Sequence, residues 1–120
     1  MSNSSVVEKY LTALSNQDLD AIVSLYAEDA TIEDPVGTSL HIGRAAIRAF
    51  YAKATCIELK ASLLGDIREA GDFLAFPFLI EMPGDNGKIR MEIIDTFNIN
   101  KFGLISEMKA YWSKDNVKSS

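Results

Sequence analysis

The segment Met91-Glu92-Ile93-Ile94-Asp95-Thr96-Phe97-Asn98-Ile99 puts a carboxylic acid where a hydrocarbon belongs. Side chains alternate faces along a strand, so Met91, Ile93, Asp95, Phe97 and Ile99 share one face, and all but Asp95 are apolar. An ionised carboxylate in such a row carries a heavy desolvation cost. It must hold a proton, find a partner, or do chemistry. A carboxyl group kept neutral can donate a hydrogen bond, a rare and useful property in an active site. A second carboxylate, Asp34, lies in Asp34-Pro35-Val36-Gly37, which is turn chemistry. Water or backbone amides at such a turn would keep it charged. Tyr10, Tyr26 and Tyr51 fall on the apolar faces of three expected helices. A buried phenol usually finds a hydrogen-bond partner, so three in one small interior predict a shared polar network. Plain alternatives stand beside these: each tyrosine as core filling, Asp34 as a turn or cap residue, Asp95 as a salt-bridge partner or strand-end cap.

The elements that must position these groups read as helices first and strands after. Ser5 with Glu8 fits a capping box, and Val7, Tyr10, Leu11 and Leu14 follow at helical spacing. Residues 15–18 break that helix and can cap the next, where Leu19, Ile22, Val23 and Tyr26 are spaced i, i+3, i+4, i+7. Residues 30–33 form a short strand, and Pro35 forces Asp34 out of the α region. Residues 43–55 form a third helix with Ile47, Phe50, Tyr51 and Ala54 on one face. Strands are expected over 58–68, 73–82, 88–100 and 104–113. The even positions Leu74, Phe76, Phe78, Ile80 and Met82 make one apolar face, residues 83–87 a hairpin loop, and Leu104, Met108, Ala110 and Trp112 share a face of the last strand. Helices followed by an antiparallel sheet make an α+β fold.

The 120 residues suit one domain, and 48% hydrophobic content suffices for a core. A formal charge of -5 and the lack of a Lys/Arg cluster argue against a nucleic-acid or anionic-membrane surface. Cys56 is the single cysteine, which rules out an internal disulfide and suits a reducing compartment. No signal peptide or membrane-spanning run is visible, so a soluble cytoplasmic protein is expected. Short polar tails at both ends are candidates for disorder. His41 is the single histidine, so no histidine metal cluster exists. Just ahead of a helix, it is expected to cap or face solvent.

Several segments match a known pattern: Asp18-Leu19-Asp20-Ala21-Ile22-Val23, Leu25-Tyr26-Ala27-Glu28-Asp29-Ala30, Thr31-Ile32-Glu33-Asp34-Pro35-Val36-Gly37, Ala49-Phe50-Tyr51, Phe76-Pro77-Phe78, Ile94-Asp95 and Ala110-Tyr111-Trp112-Ser113. Over most of its length the chain resembles the bacterial ketosteroid isomerases (steroid Δ-isomerases) of the NTF2-like, or SnoaL-like, superfamily. The stretch around Asp34-Pro35 is shared loosely across the superfamily, whereas the combination of Tyr10, Asp34 and Asp95 is more specific. The resemblance implies a cone-shaped fold in which a curved sheet covered by three helices encloses an apolar pocket. It implies Asp34 as proton-shuttling base, Tyr10 and Asp95 as an oxyanion hole, and Tyr26 and Tyr51 as the hydrogen-bond network behind it. Phe50, Phe78, Met108 and Trp112 match residues lining the steroid cavity. A homodimer through the outer sheet face, a small apolar ketone (a steroid) as substrate, and no metal or organic cofactor are implied too. The loops between Gly37 and Gly43 and between Thr55 and Lys60 are less similar. Two rival expectations are a SnoaL-like cyclase or isomerase acting on another ketone, and a non-catalytic protein that binds an apolar ligand.

Overall fold

The computed structural model describes residues 3–119. Residues 1, 2 and 120, part of the tails expected to be disordered, lie outside the described residues. Three helices, α1 (Ser5–Ser15), α2 (Leu19–Ser24) and α3 (Arg44–Thr55), accompany eight strands. These are β1 (Tyr26–Glu33), β2 (His41–Ile42), β3 (Lys60–Leu63), β4 (Arg68–Ala70), β5 (Phe73–Gly84), β6 (Gly87–Ile99), β7 (Ile105–Tyr111) and β8 (Val117–Ser119). The strands make one curved, open sheet in the order β2-β1-β7-β6-β5-β3, with β4 also paired to β5 and β8 to β6. Every pairing is antiparallel except β1 with β7, which is parallel.

The long β5–β6 hairpin follows from its alternation. Leu74, Phe76 and Phe78 on β5 are buried, as are Ile93, Asp95, Phe97 and Ile99 on β6, while Ile94 between them is 49% exposed. The register sets Phe76 opposite Asp95 and Phe78 opposite Ile93. α1 lays Val7, Tyr10, Leu11 and Leu14 onto this face. Its end is tied to β3 by the Ala61 N–H, which donates to Ser15 Oγ at 2.9 Å. Each fully buried Phe or Ile side chain contributes about 1.5–3 kcal/mol relative to exposure, so one apolar cluster spanning helices and sheet holds the layers together.

Several expected boundaries move. Tyr26 opens β1 rather than ending α2. Asp18 caps α2 as expected, accepting from the Ala21 N–H, but the helix stops at Ser24. The Leu25 carbonyl then accepts from Ile105 N–H at 2.8 Å, and Tyr26 pairs in register with Ile105. Tertiary pairing to β7 thus overrides a helical spacing that sequence would continue. The phenols accordingly come from two helices and a strand, not three helices. The capping box at Ser5 does not form; Ser4 holds the N-cap position, with no side-chain cap bond. His41 lies on β2, opposite Ile32 of β1, instead of in a cap. The strand expected over 58–68 shortens to Lys60–Leu63, where a bend ends it, and a separate short strand begins at Arg68. The hairpin loop shrinks to Asp85-Asn86 because β5 and β6 run on to pair Gly84 with Gly87. The ladder between β6 and β7 shifts register at Asn98/Ile99. This irregularity buries Ile105 alongside Met108 and Ala110, breaking the simple alternation expected of the last strand. The C-terminal tail is ordered as far as β8, paired to β6.

Candidate active site

Two carboxyl groups and three phenols meet between the helices and the inner sheet face. At the deep end, Tyr51 of α3 is the hub: its hydroxyl lies 2.9 Å from the Tyr10 hydroxyl and 2.7 Å from that of Tyr26. Each phenol carries one proton. Two bonds among three hydroxyls therefore leave one proton over. If Tyr26 donates to Tyr51 and Tyr51 to Tyr10, the spare donor is Tyr10. Burial, the first cause in each case, pushes all three phenols well above their ordinary pKa, so they are donors rather than phenolates. The Tyr10 ring stands edge-on to Phe97, 5.2 Å between centroids, and so is fixed against the neighbour of Asp95 on the same face of β6.

Asp95 is 1% exposed, with Phe76 and Ala110 opposite it on the flanking strands. Neither of its carboxyl oxygens has a hydrogen-bond partner. Desolvation pushes its pKa well above the ordinary carboxylate value, and the negative charge of Asp34 raises it further. Tyr10 is near enough to draw it partway back, yet not within hydrogen-bonding geometry. Burial thus favours the neutral form of Asp95, whose O–H would be unspent. Leaving a buried polar group unsatisfied typically costs about 1–3 kcal/mol, a standing penalty that a ligand oxygen would remove.

Asp34 lies at the rim, just past the end of β1, and its peptide bond to Pro35 is cis. The turn amides expected to keep it charged go elsewhere: the Gly37 N–H donates to Glu33 Oε2 at 2.7 Å and the Thr38 N–H to the Pro35 carbonyl. Asp34 Oδ1 instead accepts from the indole Nε1–H of Trp112 at 2.7 Å. The parallel ladder explains the meeting. Glu33 pairs with Lys109, and the Val36 N–H donates to the Ala110 carbonyl at 2.8 Å, so β1 and β7 leave the sheet side by side. Asp34 is half-buried, and desolvation raises its pKa; the Trp112 hydrogen bond and then the charge of His41 oppose that rise.

The remaining expected residues divide. Phe50 is half-buried on α3, 5.0 Å from the Tyr51 ring and 4.7 Å from that of His41. Phe78 and Met108 belong to the closed core, Phe78 standing 6.5 Å from Tyr10. Trp112 was legible as an apolar wall, but its hydrogen bond to Asp34 was not. The available signal was that an indole N–H usually finds a partner when buried. The role of His41 beside the rim was likewise missed. One cleft of about 470 Å³, lined by Leu59, Met82 and Pro83, lies away from these groups, whereas another of about 460 Å³, lined by Leu64, Pro77, Ile94 and Tyr111, has Trp112 in its wall. Among the described residues no group of three or more His, Cys, Asp or Glu side chains could hold a metal ion. No helix there is long and apolar enough to cross a membrane.

Residues 7–108 match the family model of the SnoaL-like domain. The chain belongs to that family. The steroid Delta-isomerase of Nocardioides simplex is 36% identical over 111 residues, spanning 92% of this chain and 89% of that one. These two findings uphold the resemblance to ketosteroid isomerases, and on them the chain is an isomerase. The epoxide hydrolase LasB of Streptomyces lasalocidi is 24% identical across 93% of this chain, which spans only 48% of that protein. Among solved structures, SalBIII, an epoxide hydrolase/cyclase-like enzyme in pyran ring formation in polyether salinomycin, superposes with a TM-score of 0.91. It is 27% identical and is covered over 98% of this chain and 95% of that one.

Proposed function

We propose that this protein is a cofactor-independent steroid Δ-isomerase that moves the double bond of a 3-oxo-Δ5-steroid into conjugation with the ketone, acting as one domain. Ionised Asp34 takes the proton from carbon 4, between the carbonyl and the alkene. The electrons left behind form a dienolate whose charge rests largely on the ketone oxygen. Tyr10 and protonated Asp95 donate hydrogen bonds to that oxygen, with Tyr51 and Tyr26 holding Tyr10 in place. Asp34 then returns the proton to carbon 6. Ketosteroid isomerases are themselves the standing illustration of this split between a charged base and a neutral acid.

The observation that carries the reading is Asp95: a buried carboxyl with both oxygens unpartnered, whose pKa is raised by burial and by the charge of a second carboxylate, Asp34. Donors fixed before charge develops contribute about 3–4 kcal/mol each, and a positioned base about 10²–10⁴ in rate. Phe50, half-buried against His41, and Trp112, half-buried against Asp34, are proposed to hold the apolar skeleton, with Phe78 and Met108 behind them.

A homodimer through the outer sheet face belongs to the same proposal. Pro77, Ile94 and Tyr111 lie abreast on β5, β6 and β7, and Ile94 and Tyr111 are 49% and 46% exposed. A cytoplasmic site of action belongs to the same proposal.

The test is ultraviolet detection of the conjugated enone formed from 5-androstene-3,17-dione. Enone formation that disappears in Asp34→Asn is expected. Folded protein that leaves the steroid unchanged, beside an active control enzyme, refutes the assignment. The likeness to SalBIII favours one alternative, a SnoaL-like cyclase or isomerase on a different ketone, and a panel of ketone substrates distinguishes it.

A further inference from the structure

The chain's one imidazole faces the rim of the site. β1 and β2 pair antiparallel with Ile32 opposite His41 and Thr31 opposite Ile42. Cross-strand partners share a face, so His41 projects to the same inner side as Ile32, which is fully buried. Ile42 turns outward and is 64% exposed. Asp34 follows Ile32 by two residues, just past the end of β1, near the position diagonal to His41, where such positions are typically about 7–8 Å apart. The Phe50 ring, 4.7 Å from the imidazole, backs it from α3.

The other charged groups around this corner are committed or turned away. Arg44, in the first turn of α3, donates both Nε and Nη2 to the Tyr26 carbonyl at 3.0 and 2.6 Å. Arg48 pairs with Asp20 at 2.8 Å. Glu33 and Lys109 are partners in the β1–β7 ladder and alternate to the opposite side from Asp34. From β7, Asp34 meets the neutral Trp112 indole. From the deep side, Asp95 and the phenols of Tyr10 and Tyr26 feel its charge.

We propose that His41 is a positioning residue for the base: its imidazolium, held on the inner side of the β1–β2 ladder against Phe50, stabilises the charged form of Asp34 and so sets the acid limit of proton transfer. The direction agrees with the electrostatics, in which the His41 charge opposes the desolvation that favours the protonated carboxyl. As an acting group at the site, His41 rests on the isomerase reading; its effect on the Asp34 carboxyl does not. The consequence has a sign. A cation that stabilises the carboxylate lets it stay ionised at lower pH. It also makes the carboxylate a weaker base, so removing the cation should narrow the active range at its acid end without lowering the alkaline plateau.

The test follows the Asp34 carboxyl directly, by carbon-13 NMR across pH in the ligand-free protein, with the signal assigned through Asp34→Asn. Wild type is compared with His41→Gln and His41→Lys, each checked for folding by circular dichroism. The Gln variant should titrate about 0.5–1 unit higher than wild type and the Lys variant no higher than wild type. The acid limb of kcat/KM should move by the same amount, with the plateau of the Gln variant within about threefold of wild type. The wild type supplies a check free of His41 substitution: the imidazole proton resonance should carry a second inflection at the Asp34 midpoint, absent in Asp34→Asn. Coincident carboxyl titrations in wild type and the Gln variant overturn the proposal, whatever the turnover. A shifted carboxyl in a protein that never converts the steroid upholds the electrostatic role of His41 and refutes the isomerase reading instead.

Discussion

The deep end of the site and its rim hold the same functional group under opposite rules. Asp95 is closed from water, faces apolar strands, and has no hydrogen-bond partner, so its protonated form is favoured. Asp34 is half-buried, accepts an indole N–H, and lies near an imidazole, so its anion is supported against the desolvation that raises its pKa. The difference teaches that the same residue type is pushed toward its neutral form in the interior of the sheet and has its charged form supported at a strand end. The two also feel each other: charge on Asp34 raises the pKa of Asp95 and so favours its neutral form.

The sharpest way to break this contrast is to remove the charge at the rim. Asp34→Asn should cut steroid turnover by about 10⁴ while leaving the affinity for a phenolic steroid, measured by fluorescence titration, within a few fold. At the deep end, Tyr10→Phe and Asp95→Ala should each lower kcat by about 10²–10³ in steady-state kinetics, with KM little changed. The double variant should lose less than the product of the two, since both donors serve one oxygen. Trp112→Phe deletes the hydrogen bond at Asp34, a bond to a charged group worth about 1.5–3 kcal/mol. Its acid limb in a pH–rate profile should move upward, with the loss greatest at low pH.

The smallest effect concerns stability. A carboxyl whose folded pKa lies above its unfolded value near 4 binds its proton more tightly in the fold. Stability is therefore fully present below that unfolded value and falls as pH rises toward the folded pKa, by at most about 1.4 kcal/mol per pH unit. Asp95→Asn should flatten that fall, and denaturant unfolding at several pH values reads it. If Asn leaves the slope unchanged, Asp95 is not the buried acid described.

Local rules made much of this legible. Alternation of period two placed Asp95 among apolar neighbours because β6 is long and regular where it matters, and the same rule found Phe76 and Phe78. It failed at Ile105, where the ladder shifts register. Tyr26 was assigned to the wrong element because its helical spacing is real but outcompeted by a pairing to a strand far along the chain. Asp34 was recognised as a charged partner, but from its own turn, whereas the group that supports it lies 78 residues away. His41 looked like a cap because two residues of strand are too few to leave a periodic trace. Contacts that depend on which distant strands become neighbours are not written in any local window of sequence.

The parallel pairing of β1 with β7 has a consequence for how such a protein can change. Both strands run the same way and deliver Asp34 and Trp112 at one edge, while the turn before β7, around residues 100–103, lies at the other end. Residues gained or lost in that turn leave the spacing of the carboxylate and the indole intact. One residue inserted between Lys109 and Trp112 would carry the indole about 3.3 Å out of place. Tolerance to length variation should thus be lopsided along this single strand, generous where it begins and strict where it finishes.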